Sequence, residues 1–271
     1  MRNLPEMLSG IDTLLKELNS YRPLTRSEVN RLREEFLINF TYNSNAIEGN
    51  TLTLQETALI INEGLTIGEK SLREHLEVIG HKEAYLFIEE LVKDKADLSE
   101  KAIKDVHSLV LMEQRESRGV YRRLPVMIMG AVHTPPQPYM VPVQMEQLLN
   151  NYHQNASEHI ISKVAKFHLD FEAIHPFIDG NGRTGRLILN LELMKQGFPP
   201  INIKFSDRKR YYNCFTSYHT NNDPIEMIVL IAENVEIEIE RYIEIIKMAN
   251  NITDGIYSTE EQEEKDENQE I

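Results

Sequence analysis

The sequence predicts an all-α helical bundle carrying one short β-hairpin. Two observations support this. Apolar residues recur at helical spacing through most of the 271 residues, and β-formers gather in one stretch, 126–142, whose prolines bar it from the middle of a sheet. At 41% hydrophobic, the chain can bury one large core or two small ones.

The elements follow in order. Met7, Ile11, Leu14 and Leu18 mark a first amphipathic helix, and Arg22-Pro23-Leu24 links it to a second. The second opens on a capping box at Thr25 and Glu28. It runs through Val29, Leu32, Phe36, Phe40 and Ile47 to a Gly49 stop. A third spans Leu54 to Asn62 with Gly64 beyond it. A long fourth runs from about Glu69 to Lys93, capped at Thr66, with Leu72, Leu76 and Ile79 as its apolar face. From about Ser99 to Met112, Ile103, Val106 and Val110 form the next buried stripe. Then come the hairpin, a helix near Met145–Leu149, and one from Ile161 through Val164, His168, Phe171 and Ile174. From Asn181 the chain reads helical through Leu187, Ile188, Leu191 and Met194 to Gly197 and Pro199-Pro200. Another polar-to-helical stretch starts at Asp207. The acidic end, Ser258 to Ile271, lacks apolar periodicity and reads as a disordered tail, bounded at about 251–271.

Composition excludes several classes. A formal charge of −14 is a poor match for nucleic acid or an anionic membrane, and no apolar run approaches the roughly 20 residues of a membrane span. The basic run Arg118–Arg123 therefore reads as a solvated, partly ion-paired face. The single Cys214 excludes an intrachain disulfide and a multi-cysteine zinc site. Met1-Arg2-Asn3-Leu4-Pro5 opens an amphipathic segment, not a secretory leader, so the cytoplasm is the expected location.

The chemistry concentrates in His175-Pro176-Phe177-Ile178-Asp179-Gly180-Asn181-Gly182-Arg183-Thr184-Gly185-Arg186. Pro176 disfavours helix at His175, so the preceding helix ends there. Gly180 and Gly182 let backbone approach a ligand. An anion at this place meets free N–H groups at a helix N-terminus and two guanidiniums a turn apart. Asp179 has the opposite sign, and a carboxylate beside a phosphate site suits a Mg²⁺ ion that shares its oxygen ligands with the phosphates. His168, Glu172 and His175 also share a helix face, which leaves a zinc-hydrolase reading open, although it would not explain the glycine-arginine run.

This stretch matches every specified position of H-x-F-x-D/E-G-N-x-R-x-x-R and so resembles the signature of the Fic family. The resemblance covers about Thr25 to Met248. It implies the Fic fold, with a catalytic core at 51–250, and a nucleotidyltransferase that moves AMP from ATP onto a protein hydroxyl. On that likeness His175 is the base that takes the proton from a Ser, Thr or Tyr hydroxyl. Phe177 anchors the loop, Asp179 holds Mg²⁺, Gly180, Asn181 and Gly182 form the anion cradle, and Arg183 and Arg186 bind the outer phosphates. The hairpin corresponds to a flap that aligns the target protein as an added strand.

Upstream, Ser44-Asn45-Ala46-Ile47-Glu48-Gly49 resembles the family's inhibitory motif S/T-x-x-x-E-G/N, which makes 25–50 an inhibitory helix. Ser44 and Glu48 share a helix face, and the likeness implies that Glu48 pairs with Arg186 where the γ-phosphate would sit. Tyr211 and Tyr212 resemble residues lining the adenine pocket. His219 stands where an asparagine is expected, followed by Asn221 and Asn222. The same likeness is compatible with self-modification and a homodimer. It also leaves two alternatives: Glu48-dependent removal of AMP, and a nucleotide-sensing module without turnover.

Overall fold

The computed structural model describes residues 3–21, 25–128, 130, 132–155 and 157–267. Among these are ten α-helices and no strand: α1 Leu4–Ser20, α2 Arg26–Ile47, α3 Leu54–Glu63, α4 Leu72–Lys93, α5 Glu100–Val110, α6 Val141–Gln154, α7 Ile160–Ile174, α8 Asn181–Lys195, α9 Arg208–Asn221 and α10 Ile225–Glu267. None is long and apolar enough to cross a membrane.

Helix α8 is the axis of the fold, lying against α2, α4, α5 and α7. It is buried on nearly every side, its polar first turns as well as Leu187, Ile188, Leu189, Leu191 and Leu193. A helix enclosed in this way needs internal partners for its polar groups. Asn190 meets the need at one end: its amide donates to the Ile201 carbonyl at 2.9 Å and accepts from the Ile201 N–H at 2.7 Å. Around this axis Ile11, Phe40, Ile103, Val106, Phe171, Phe177 and Ile239 are almost wholly buried. Each such side chain stabilises the fold by about 1.5–3 kcal/mol.

Most of the expected helices appear with their stop signals. Gly64 ends α3 at φ 65°, and Thr53 and Glu56 form a capping box at its start. In α2, Leu32, Phe36, Phe40 and Ile47 are buried, while Val29 is exposed. The capping box read at Thr25 and Glu28 and the linker Arg22-Pro23-Leu24 lie wholly or partly outside the described residues.

Three expectations are corrected. Helix α4 begins at Leu72, not Glu69, because Ser71 and Glu74 form the capping box there and Glu69 is left-handed at φ 63°. Its buried face is also different. Leu72 and Ile79 are exposed, whereas His75, Glu77, Val78, Gly80, His81, Ala84, Tyr85 and Ile88 turn inward. Polar residues can occupy this face because they are partnered: Thr41 Oγ1 lies 3.0 Å from His81 Nδ1, and Asn50 Nδ2 donates to Glu77 Oε2 at 2.9 Å. Gly80 allows α5 to approach, since a Cβ there would sit 2.4 Å from the Leu109 carbonyl oxygen. Gly80→Ala should therefore cost about 1–3 kcal/mol in a denaturant titration; an unchanged midpoint would contradict this packing.

The β-hairpin is the second correction to the expected secondary structure. No strand forms among the described residues of 126–142; Met129 and Ala131 lie outside them. Pro135, Pro136, Pro138 and Pro142 lack the N–H a ladder requires, and the last two instead open a 3₁₀ turn at Pro138–Met140 and helix α6. The last concerns the tail. The backbone of α10 stays helical to Glu267, through most of the stretch read as disordered. Glutamate, glutamine and lysine are good helix formers, so a helix anchored by Ile228, Ile231, Val235 and Ile239 propagates into it.

Candidate active site

The loop between α7 and α8 is fixed by backbone geometry before any catalytic group is considered. His175 caps α7 in the left-handed conformation, φ 48° and ψ 61°, and its N–H donates to the Phe171 carbonyl at 2.9 Å. Phe177 follows, fully buried, and the Asn181 side chain clasps it: Oδ1 accepts from the Phe177 N–H and Nδ2 donates to the Phe177 carbonyl, both at 2.9 Å. Asn181 thus contributes its side chain to the loop, leaving its backbone for the cradle.

Phe177 stacks on His107 of α5, ring centroids 3.6 Å apart and 5° from parallel. The Gly119 N–H donates to His107 Nδ1 at 3.0 Å, so the proton sits on Nε2 and points to the Asp179 carbonyl at 2.9 Å. Sequence reading missed His107. It lies among Val106, Val110 and Ile103 on an apolar face, and only its contacts reveal that it holds the loop.

Burial pushes His107 down to about 4 and His168 down to about 3, and His81 well below its ordinary value. In the unfolded chain each titrates near 6.5. Because the fold favours the neutral rings, their contribution is full above about 6.5 and is lost as pH falls toward 4 and 3. Denaturant titrations should show wild type losing about 2 kcal/mol for each of His107 and His168 between pH 7 and pH 5, with a shallower slope in His107→Leu. Equal stability of wild type at the two pH values would contradict these burials.

Gly180, left-handed at φ 75°, opens α8 without a side-chain cap, so the first N–H groups of α8 face a cavity of about 440 Å³. Arg183, 1% exposed, lies 3.4 Å from Asp179 Oδ1 and 3.5 Å from Glu77 Oε1. Its Nε and Nη1 are buried with no hydrogen-bond partner among the described residues, but the side chain sits against the carboxylates of Asp179 and Glu77 and does not line the cavity. Arg186, 2% exposed, is fully engaged. Its Nε donates to Ser44 Oγ at 3.0 Å, Nη2 to the Ser44 carbonyl at 2.7 Å and to Glu48 Oε1 at 2.8 Å, and Nη1 to the Tyr211 hydroxyl at 3.3 Å.

The Ser44–Glu48 face and Arg186, far apart in sequence, therefore meet. Glu48 lies over the start of α8, where the positive end of the helix dipole favours a carboxylate. A Cβ at position 182 would be 2.1 Å from Glu48 Oε1, so glycine makes room for that carboxylate.

Asp179 lies at the mouth of the site. Its Oδ1 accepts from the Gly180 N–H at 2.6 Å, and Oδ2 pairs with Arg73 Nη2 at 2.8 Å. Arg73, on the first turn of α4, was not anticipated. The described residues hold no cluster of three His, Cys, Asp or Glu suited to a metal. One half-buried carboxylate fits Mg²⁺ that draws its remaining oxygens from phosphates and water, and it does not fit a protein-enclosed metal. The zinc reading falls with the same geometry, because the His168 Nε2 and the Tyr211 hydroxyl are 2.6 Å apart and Glu172 Oε2 approaches His175 Nδ1 only to 3.5 Å.

Both tyrosines line the cavity, with Phe215, Thr216 and His219: Tyr211 is 1% exposed and braces Arg186, and Tyr212 is exposed, its hydroxyl donating to the Ile47 carbonyl at 3.1 Å. His219 stacks on His133 of the 126–142 segment at 4.2 Å. Of the basic run, Arg118 and Arg123 are exposed, Arg118 donating to the Met112 carbonyl, whereas Arg122 is buried and does not belong to a solvated face.

Residues 97–193 match the Fic/DOC family. Protein adenylyltransferase fic-1 of Caenorhabditis elegans is 33% identical over 252 residues, 91% of this chain and 48% of that protein. A solved structure of Fic-1 (aa134–508) from C. elegans superposes with a TM-score of 0.80 at 31% identity, covering 90% of this chain and 73% of that one. A Fic domain containing signaling protein from Bacteroides thetaiotaomicron superposes at 0.79 with 28% identity, covering 89% and 98%. The chain spans about half the length of the curated relatives it matches.

Proposed function

The chain belongs to the Fic/DOC family, and from that membership we propose that it is a protein adenylyltransferase held in check by Glu48. One observation carries the reading: His175, the open N-terminus of α8 and Gly182 surround a single cavity, and Glu48 occupies that cavity while paired to Arg186. A histidine is a base suited to neutral pH, and a carboxylate is the natural competitor for phosphate at an arginine.

In the proposed reaction His175 takes the proton from an acceptor hydroxyl as its oxygen attacks the α-phosphorus of ATP. The bond to the β-phosphate oxygen breaks and pyrophosphate leaves. The α8 N–H groups and Arg183 receive the charge that develops, in a site already oriented for it. Arg186 joins them when Glu48 withdraws. Asp179 would hold Mg²⁺, which would supply positive charge to the phosphates. Tyr212 and His219 supply an aromatic wall for the nucleobase, and Ile128, Gly130 and Val132 line the side from which the target protein enters. Cytoplasmic action and self-modification belong to this proposal.

Because Glu48 lines the same cavity as His175, it could also orient a water for the reverse step, removal of AMP. The products separate the two. Incubation with ATP and Mg²⁺ should release pyrophosphate and leave AMP on protein, seen as an intact-mass increase. Release of free AMP from a pre-modified protein, with no forward product, would overturn the transferase reading.

A further inference from the structure

Arg122 is 4% exposed, and among the described residues it makes no ion pair; burial alone acts on it and pulls its pKa down. All its side-chain partners are backbone carbonyls. Nε donates to His175 at 2.8 Å, Nη2 to Ile174 at 3.3 Å and to Pro136 at 2.6 Å, and Nη1 to Leu124 at 3.2 Å. Its own N–H donates to the Pro176 carbonyl at 2.9 Å.

A buried cation without a counterion carries a desolvation penalty of several kcal/mol, so its partners must justify it. Two of them, Ile174 and His175, lie at the C-terminus of α7, where the dipole favours positive charge. The other two, Leu124 and Pro136, are the two ends of the segment whose residues Ile128, Gly130 and Val132 line the same cavity as His175. A planar guanidinium with donors on several edges can hold both sides at a fixed separation, which an ammonium on a flexible stem cannot.

We propose that Arg122 is a positioning residue that sets the distance and register between the His175 base and the 124–136 segment that presents the acceptor. This rests on the transferase reading above. The geometry gives Arg122 no contact with nucleotide, so its effect falls on the step that joins base and acceptor.

The test uses Arg122→Lys and Arg122→Gln in a Glu48→Gly background. It follows label from α-labelled ATP into the chain itself, the affinity for a non-hydrolysable ATP analogue, and amide hydrogen exchange. Displacements of about 1 Å can cost about 10²-fold in rate. The expected result is a fall of about 10- to 100-fold in kcat for both variants, with analogue affinity within about twofold. Exchange should become faster at 124–128 and 132–137 but not in α8. Lysine failing to rescue marks the guanidinium fork, not the charge, as the working part.

Wild-type kcat and exchange in Arg122→Lys would overturn the proposal, and so would equal losses in analogue affinity and turnover. If the Glu48→Gly parent transfers no label, the transferase reading fails separately. Exchange then decides for Arg122: faster exchange confined to 124–128 and 132–137 supports the proposal, and unchanged exchange refutes it. If Arg122→Gln does not fold, the lysine variant and exchange carry the same outcomes.

Discussion

Glu48→Gly should raise AMP transfer by about 10- to 100-fold over the wild-type chain. The magnitude follows from what the substitution removes: one charge-assisted hydrogen bond, 2.8 Å long, from a 2%-exposed guanidinium to a 35%-exposed carboxylate. Such bonds contribute about 1.5–3 kcal/mol, and 1.4 kcal/mol is a factor of ten in an equilibrium. The released Arg186 keeps Ser44 and Tyr211 as partners, so the site should persist. It nevertheless loses the anion that balanced a buried charge. The phosphates of ATP can supply another, and ATP should therefore raise the melting temperature of Glu48→Gly more than that of wild type. Equal transfer rates together with equal ATP-induced shifts would show that the pair restrains nothing.

Replacing His175 should remove about 10²–10⁴-fold of the rate in the released enzyme, the usual worth of a positioned general base. The choice of residue matters because position 175 is left-handed, where alanine is strained and asparagine is tolerated better. His175→Asn keeps the loop and withdraws the base. Analogue affinity should then stay within a few fold while kcat collapses, because the groups placed around the phosphates lie on α8 and not on His175. Substantial transfer by both His175→Asn and His175→Ala would assign the proton to another group, Glu172 first, since its carboxylate lines the same cavity.

How much of this could be read in advance depended on distance along the chain. The 175–186 signature was legible because its groups are neighbours in sequence and their order dictates a helix end, a turn and a helix start. Ser44 and Glu48 could be placed on one helix face, but their partner lies about 140 residues away, and only the family likeness connected them. His107, Arg73 and Arg122 were not legible. His107 looks like one more residue of an apolar stripe, Arg73 like a surface charge on a helix start, and Arg122 like part of a solvated basic run. Each acquires its role only from the element folded against it.

The buried face of α4 departs from the apolar periodicity for a related reason. Periodicity marks where apolar side chains recur, but it cannot show that Thr41 and Asn50 will be present to satisfy His81 and Glu77 inside the fold. Its start is a different case. Ser71-Leu72-Arg73-Glu74 is itself a capping signature and was available in the sequence. The 126–142 segment departs from the helices only as far as Gln137 among its described residues, since Pro138–Met140 forms a 3₁₀ turn and α6 starts at Val141.

The central claim is that this chain transfers AMP through His175 and that Glu48 restrains it. The most direct measurement is label transfer from α-³²P-ATP onto protein with Mg²⁺ present, comparing wild type, Glu48→Gly and Glu48→Gly/His175→Asn. The account predicts weak label in wild type, strong label in the single variant and none above background in the double variant. Label that is equal in all three, or absent from all three, would contradict it.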